Sequence, residues 1–163
     1  MRQAGLVVAR TLEALRTEVA AGVSTAEIDA FCRDRLAAEG ATSNFLNYHG
    51  FPATICISVN DEIVHGIPGD RKLLDGDLVS LDFGAIVDGW HADSAITVAV
   101  GQIGEAEAEL NRITEEALWR GIAAARIGGR VGDISNAVGS YVKSQAKVGG
   151  GRYGITEGFT GHG

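Results

Sequence analysis

The chain has 163 residues and a mass of 17.0 kDa, the size of one ordinary domain. Its 45% apolar and 21% charged content excludes disorder as the main state. A count of 14 basic against 21 acidic residues leaves a net charge of −7, which argues against a surface built for nucleic acid or anionic lipid.

Val8, Leu12, Leu15 and Val19 recur at helical spacing, so residues 1–20 are expected to form an amphipathic helix ended by Gly22. Ser24-Thr25-Ala26-Glu27 fits a capping box, and Ile28, Phe31 and Leu36 form the buried stripe of a second helix stopped by Gly40. Residues 41–52 are aromatic and turn-rich and are expected to be a loop. From Ala53 the period changes to two: Ile55, Ile57 and Val59 alternate with Thr54, Cys56 and Ser58, as in a half-buried strand. Ile63-Val64-His65 is expected to return as a short strand, followed by turns at Gly66-Ile67-Pro68-Gly69 and Asp75-Gly76. Leu78–Val87 and Trp90–Val100 form a hairpin about Asp88-Gly89. Glu105–Arg126 has a helical stripe of Leu110, Ile113, Ala117 and Ala124, with Glu105, Glu107, Glu109, Glu115 and Glu116 on a solvated face. Asp133 is expected to cap a last helix carrying Ile134, Ala137, Tyr141 and Val142. Gly149-Gly150-Gly151 reads as a loop and Tyr153–Thr160 as a final strand. Hairpins followed by helices indicate an α+β fold with an antiparallel sheet.

The strongest chemical feature is the pair Asp82 and Asp93. If Asp88-Gly89 is a two-residue loop, Asp93 lies opposite Gly84, and Asp82, two residues along, shares its face. Their backbones are then diagonal neighbours about 7–8 Å apart, and Gly84 leaves room beside them. Two carboxylates converging in an apolar sheet, with Leu81, Phe83, Ile86 and Ile96 nearby, repel each other, and a divalent cation relieves that cost. Ordinary acids on a solvent-facing side are the competing reading. Histidine with carboxylates suits Mn, Fe, Co, Ni or Zn, but spacing alone does not choose among His49, His65, His91 and His162. Cys32 reads as part of a helix face and Cys56 as a wall rather than a nucleophile. Two thiols and no apolar leader at the N-terminus are expected of a reduced, cytoplasmic protein. No apolar run is long enough for a membrane span.

Six blocks occur in order: Tyr48-His49-Gly50-Phe51-Pro52, Cys56–Glu62, His65-Gly66-Ile67-Pro68, Asp77–Asp82, Asp88–Asp93 and Gly161-His162-Gly163. Together they resemble bacterial-type type I methionine aminopeptidases. The resemblance implies the pita-bread fold, an α+β sandwich with helices on one face of an antiparallel sheet, and a centre for two divalent metals (Co, Mn, Fe, Ni or Zn). It implies that Asp82 chelates one metal, Asp93 bridges both and His162 binds the other. His65 would contact the substrate during cleavage, and Tyr48, Phe51 and Cys56 would wall the methionine pocket. His91 receives no ligand role. Phe45 stands where a smaller pocket residue is common in the family.

The implied reaction is removal of the initiator methionine from nascent polypeptides with a small second residue, the metals acting as Lewis acids. The implied partners are nascent N-termini, met at the ribosome, with no nucleic acid and no membrane, the complete protein being a monomer. Family members continue past Gly-His-Gly with a further His and two Glu ligands. None of those blocks follows Gly163, so residues 1–163 are read as the N-terminal part of one catalytic domain, inactive by itself. The alternatives are a proline-specific metallopeptidase of the same fold, which usually carries a large extra N-terminal domain, and a non-catalytic pita-bread protein that binds peptides, RNA or ribosomes. Retention of Asp82, Asp93 and His162 argues against the non-catalytic reading, and the net charge argues against RNA.

Overall fold

In the computed structural model, which describes residues 1–148 and 153–159, helix α1 spans Arg2–Glu18 and buries Ala4, Val7, Val8, Thr11, Leu12 and Leu15. The expected stripe is therefore the one that packs. Helix α2, Thr25–Ala38, opens with the expected capping box: Ser24 accepts from the Glu27 amide, and the Glu27 carboxylate accepts from the Ser24 amide. It closes at Gly40, whose φ of 62° few side chains tolerate. There Gly40 N–H donates to the Ala37 carbonyl and Ala41 N–H to Leu36, so the last carbonyls are satisfied.

Two compact units divide the chain, Met1–Ile103 and Gly104–Gly163. The sheet of the first consists of β1 (Thr42–Ser43), β2 (Ile55–Val59), β3 (Leu78–Val87) and β4 (Trp90–Ala99). All pairs are antiparallel; β1 and β2 follow one another along one edge of β3, and β4 lies on the other. Val79, Leu81, Phe83 and Ala85 of β3 join Ile55, Ile57 and Val59 of β2 in one core with α1 and α2. Both helices thus cover the same sheet face. The even-numbered residues of β3, Asp82 and Gly84 among them, belong to the opposite face.

Several expectations are corrected. Residues 41–52 contain the short β1 and a 3-10 turn at Tyr48–Gly50, because Thr42 and Ser43 extend the pairing of β3 beyond the end of β2. Strand β2 is buried on both faces, not half-buried. The helices cover Ile55, Ile57 and Val59, and on the other side Ser58 Oγ accepts from the Gly66 amide. Residues 63–65 form no strand: Ile63 is exposed and His65 has a φ of 60°, so the return meets β2 at Gly66, whose carbonyl accepts from the Ile57 N–H and whose amide donates to Ser58 Oγ.

In the second unit, α3 (Glu105–Ala124) buries Ile113, Ala117 and Gly121, while Leu110, expected on that stripe, is exposed. Gly121 lets α4 (Val131–Val148) approach closely, since a Cβ there would lie 2.9 Å from Val138 Cγ2. Arg112 and Arg120 pair with Glu109 and Glu116, as on a solvated face. Asp133 does not cap α4 but stands third in it, its carboxylate accepting from the Arg130 amide. Residues 153–159 pair with no described strand and are irregular, with a turn at Glu157-Gly158, where Gly158 has a φ of 86°. The Gly149-Gly150-Gly151 segment lies outside the described residues. No helix among the described residues is long and apolar enough to cross a membrane.

Candidate metal centre

The β3–β4 turn fixes the chemistry. Asp88 and Gly89 have φ of 51° and 76°, the left-handed pair that a two-residue hairpin requires. The register follows as expected: Val87 opposite Trp90, Gly84 opposite Asp93, and Asp82 opposite Ala95. Asp82 and Asp93 therefore share the face turned away from the helices. Leu81, Phe83 and Ile96, expected near the pair, lie on the other face because successive side chains alternate; only Ile86 shares the carboxylate side.

Asp82 is half-buried and Asp93 exposed, and no Lys, Arg or His among the described residues forms an ion pair with either. Burial raises the Asp82 carboxyl, and the Asp93 charge and a hydrogen bond to Asp93 raise it further, to about 7. Cys56 stands directly across from Asp82 on β2. Burial, with the charges of Asp82 and Asp93 added, lifts its thiol to about 12. Cys56 is thus a protonated wall of the metal-free site.

The room expected beside Gly84 is filled. A Cβ on Gly84 would lie 2.7 Å from Asn44 Nδ2, 2.9 Å from Cγ and 3.0 Å from Cβ. The Asn44 amide lies across β3 and donates from Nδ2 to the Ala92 carbonyl at 3.1 Å, one residue from Asp93. Its Oδ1 is buried and has no partner among the described residues. Asn44 escaped the sequence reading because its place over Gly84 depends on a contact between segments far apart in sequence.

The loop after Asn44 is closed at both ends. Ser43 Oγ accepts from the amides of Phe45 and Leu46 and donates to the Thr54 carbonyl. Thr54 N–H and Oγ donate to the buried Asp29 carboxylate at 2.7 and 2.6 Å, anchoring the start of β2 to α2. Within the loop, the Phe51 ring meets Phe45 edge-on at 6.5 Å. Tyr48 is exposed, and its ring stacks edge-on against His49 at 4.4 Å. His65 is exposed beside Gly66, which is pinned to the outer edge of β2 at Ile57 and Ser58. Gly66 cannot be replaced there, because its Cβ would fall 2.0 Å from the Ile57 carbonyl oxygen. His91 is exposed on the face of Asp93. The structure brings Asp82, Asp93 and Cys56 together. His162 lies outside the described residues.

The donors present fit a divalent cation. Among the described residues, two carboxylates without a countercharge, one holding a proton up to about pH 7, and an orphaned amide oxygen on the same face form a site short of positive charge and of donors. The described residues do not complete a ligand set, as no group of three or more His, Cys, Asp or Glu side chains among them is placed to hold a metal ion.

Comparison with known proteins agrees with this reading. Methionine aminopeptidase 1 of Mycobacterium tuberculosis is 44% identical over 164 aligned residues, covering 100% of this chain and 62% of that protein. Methionine aminopeptidase 1 of Bacillus subtilis is 41% identical over 163 residues, covering 100% of this chain and 63% of that protein. The chain therefore spans 62–63% of the length of these curated relatives. The crystal structure of methionine aminopeptidase from Rickettsia prowazekii matches with a TM-score of 0.85 at 35% identity, over 88% of this chain and 58% of that one. An aminopeptidase from Pseudomonas aeruginosa, 18% identical with a TM-score of 0.81 over 95% of this chain and 34% of its own, shares the fold. The pita-bread α+β fold implied by the sequence blocks is the fold of this chain. The profile of metallopeptidase family M24 matches residues 1–163 from end to end, and the chain belongs to that family.

Proposed function

We propose that the protein carrying this chain is a metal-dependent methionine aminopeptidase, removing the initiator methionine from nascent polypeptides whose second residue is small. The observation that carries this reading is the Asp82–Asp93 pair, held on one sheet face without a countercharge among the described residues, in a chain 44% identical to such an enzyme. Residues 1–163 serve as part of one catalytic domain. Asp82, Asp93 and His162 would hold two divalent ions (Co, Mn, Fe, Ni or Zn), Asp82 serving one, His162 the other and Asp93 both. When bound, the ions supply Lewis acidity toward the scissile carbonyl.

The chain's own residues do the rest. Asp82 and Asp93 give up the proton that the pair retains when empty. His65, displayed on a rigid turn at the edge of β2, hydrogen-bonds the substrate amide near the developing charge. Cys56, Phe51 and Tyr48 form an apolar wall for the methionine side chain, Cys56 contributing a neutral thiol. The partners are nascent N-termini, met at the ribosome in the cytoplasm, and the enzyme works as a monomer.

Hydrolysis of Met-Ala-Ser by the natural-length protein tests this, with Ala-Met-Ser and a Xaa-Pro dipeptide as controls. Metal-dependent release of Met from the first peptide alone, abolished by a chelator, is expected. No release with metal restored, or preferential cleavage of the Xaa-Pro dipeptide, overturns it.

A further inference from the structure

We infer that Asn44 is a positioning residue of the carboxylate centre, setting the place of Asp93 and thereby the affinity for the divalent ion. The inference rests on the metal-dependent reading above and extends it to a residue outside the ligand set which that reading assigns.

Three observations converge. Asn44 fills the space over Gly84, the residue directly opposite Asp93, so its amide is the side-chain neighbour of Asp93 across β3. Its Nδ2 donates to the Ala92 carbonyl, tying the loop before β2 to the peptide that carries Asp93 on the far strand. This is a long-range staple, as Asn44 and Ala92 are 48 residues apart in sequence. Its Oδ1, buried and unpartnered among the described residues, leaves one acceptor on the carboxylate side for a donor brought by the occupant of the site. An exposed Asp on the outer strand of a sheet otherwise has free χ1 and χ2, and orienting it before binding lowers the entropy lost when the ion arrives.

Gly84 is part of the same device. Any side chain there drives into the Asn44 amide, so Gly84→Ala should act by displacing Asn44 rather than by touching the ion. This makes the inference testable as a coupling. Mn²⁺ is titrated calorimetrically into the natural-length protein, its Asn44→Ala and Asn44→Leu variants, Gly84→Ala, and the Asn44→Ala/Gly84→Ala double variant. The thermal transition of each metal-free protein is recorded beside it, and Asn44→Leu keeps the volume over Gly84 should Asn44→Ala fold poorly.

Each single variant is expected to lose about 10- to 100-fold in affinity, the usual cost of removing a group that orients a ligand. The double variant should bind no more weakly than the weaker single one, since Gly84→Ala has no amide left to displace. Affinity within about twofold of the parent in Asn44→Leu reduces Asn44 to a space-filler and overturns the inference. A lowered thermal midpoint at unchanged affinity, or strictly multiplicative losses in the double variant, overturns it too. Mn²⁺ binding by the parent without release of Met would sink the aminopeptidase reading and leave this inference standing. Failure of the parent to bind Mn²⁺ would sink both.

Discussion

Replacing Asp93 by Asn should change how the metal-free protein responds to pH. The Asp82 carboxyl is raised from 3.8 to about 7, by burial first and then by the charge of Asp93. Between those two values the folded chain keeps a proton that the unfolded chain has released. Stability therefore falls as pH rises through that window and levels off above about 7. At about 1.4 kcal/mol per pH unit the whole shift corresponds to about 4 kcal/mol. Asp82 is only half-buried and Asp93 is exposed, so water screens the pair, and a fall of about 2 kcal/mol is expected. The Asp93→Asn substitution removes the neighbouring charge but leaves the burial, which is the larger cause. The variant should keep more than half of the fall, losing less than about 1 kcal/mol of it. Urea unfolding at pH 4 and pH 8 in chelator, for parent and Asp93→Asn, measures both differences. Saturating metal should reverse the slope in the parent, since the ion binds the ionised pair. A metal-free fall in Asp93→Asn equal to or steeper than the parent's would refute the claim that the two carboxylates interact.

Two further outcomes are expected. His65→Ala should leave the metal content unchanged while lowering turnover about 100-fold, the usual size for one electrostatic or acid–base contributor. Loss of metal, read by elemental analysis of the purified variant, would make His65 a ligand instead. Gly66→Ala places a Cβ 2.0 Å from the Ile57 carbonyl oxygen and breaks the contact that pins the His65 turn to β2. A loss of about 3 kcal/mol in urea unfolding is expected, and a cost below about 1 kcal/mol would show that the turn yields without strain.

Much of this protein was legible along the chain because its signals are local. The α1 stripe, the Ser24–Glu27 box and the Asp88-Gly89 turn each depend on residues within a few positions of one another. The hairpin turn alone carries the register that sets Asp93 opposite Gly84 and puts Asp82 on the same face. The six sequence blocks, read by resemblance, pointed to the family that comparison then showed. What tertiary structure decided is which face those carboxylates occupy and what surrounds them. Period two is the same whether a strand is covered on one side or both, so the full burial of β2 could not be read from its alternation. Periodicity likewise gave no sign that α1 and α2 would cover the face of Leu81 and Phe83, leaving Asp82 and Asp93 on the other. The return at residues 63–65 has strand-like composition but gains only one backbone bond to β2, because His65 turns the chain through a left-handed conformation. Asn44 is the sharpest case. Its place over Gly84 and its bond to Ala92 depend on β1 continuing the pairing that β2 begins, a contact between segments far apart in sequence that no local pattern encodes.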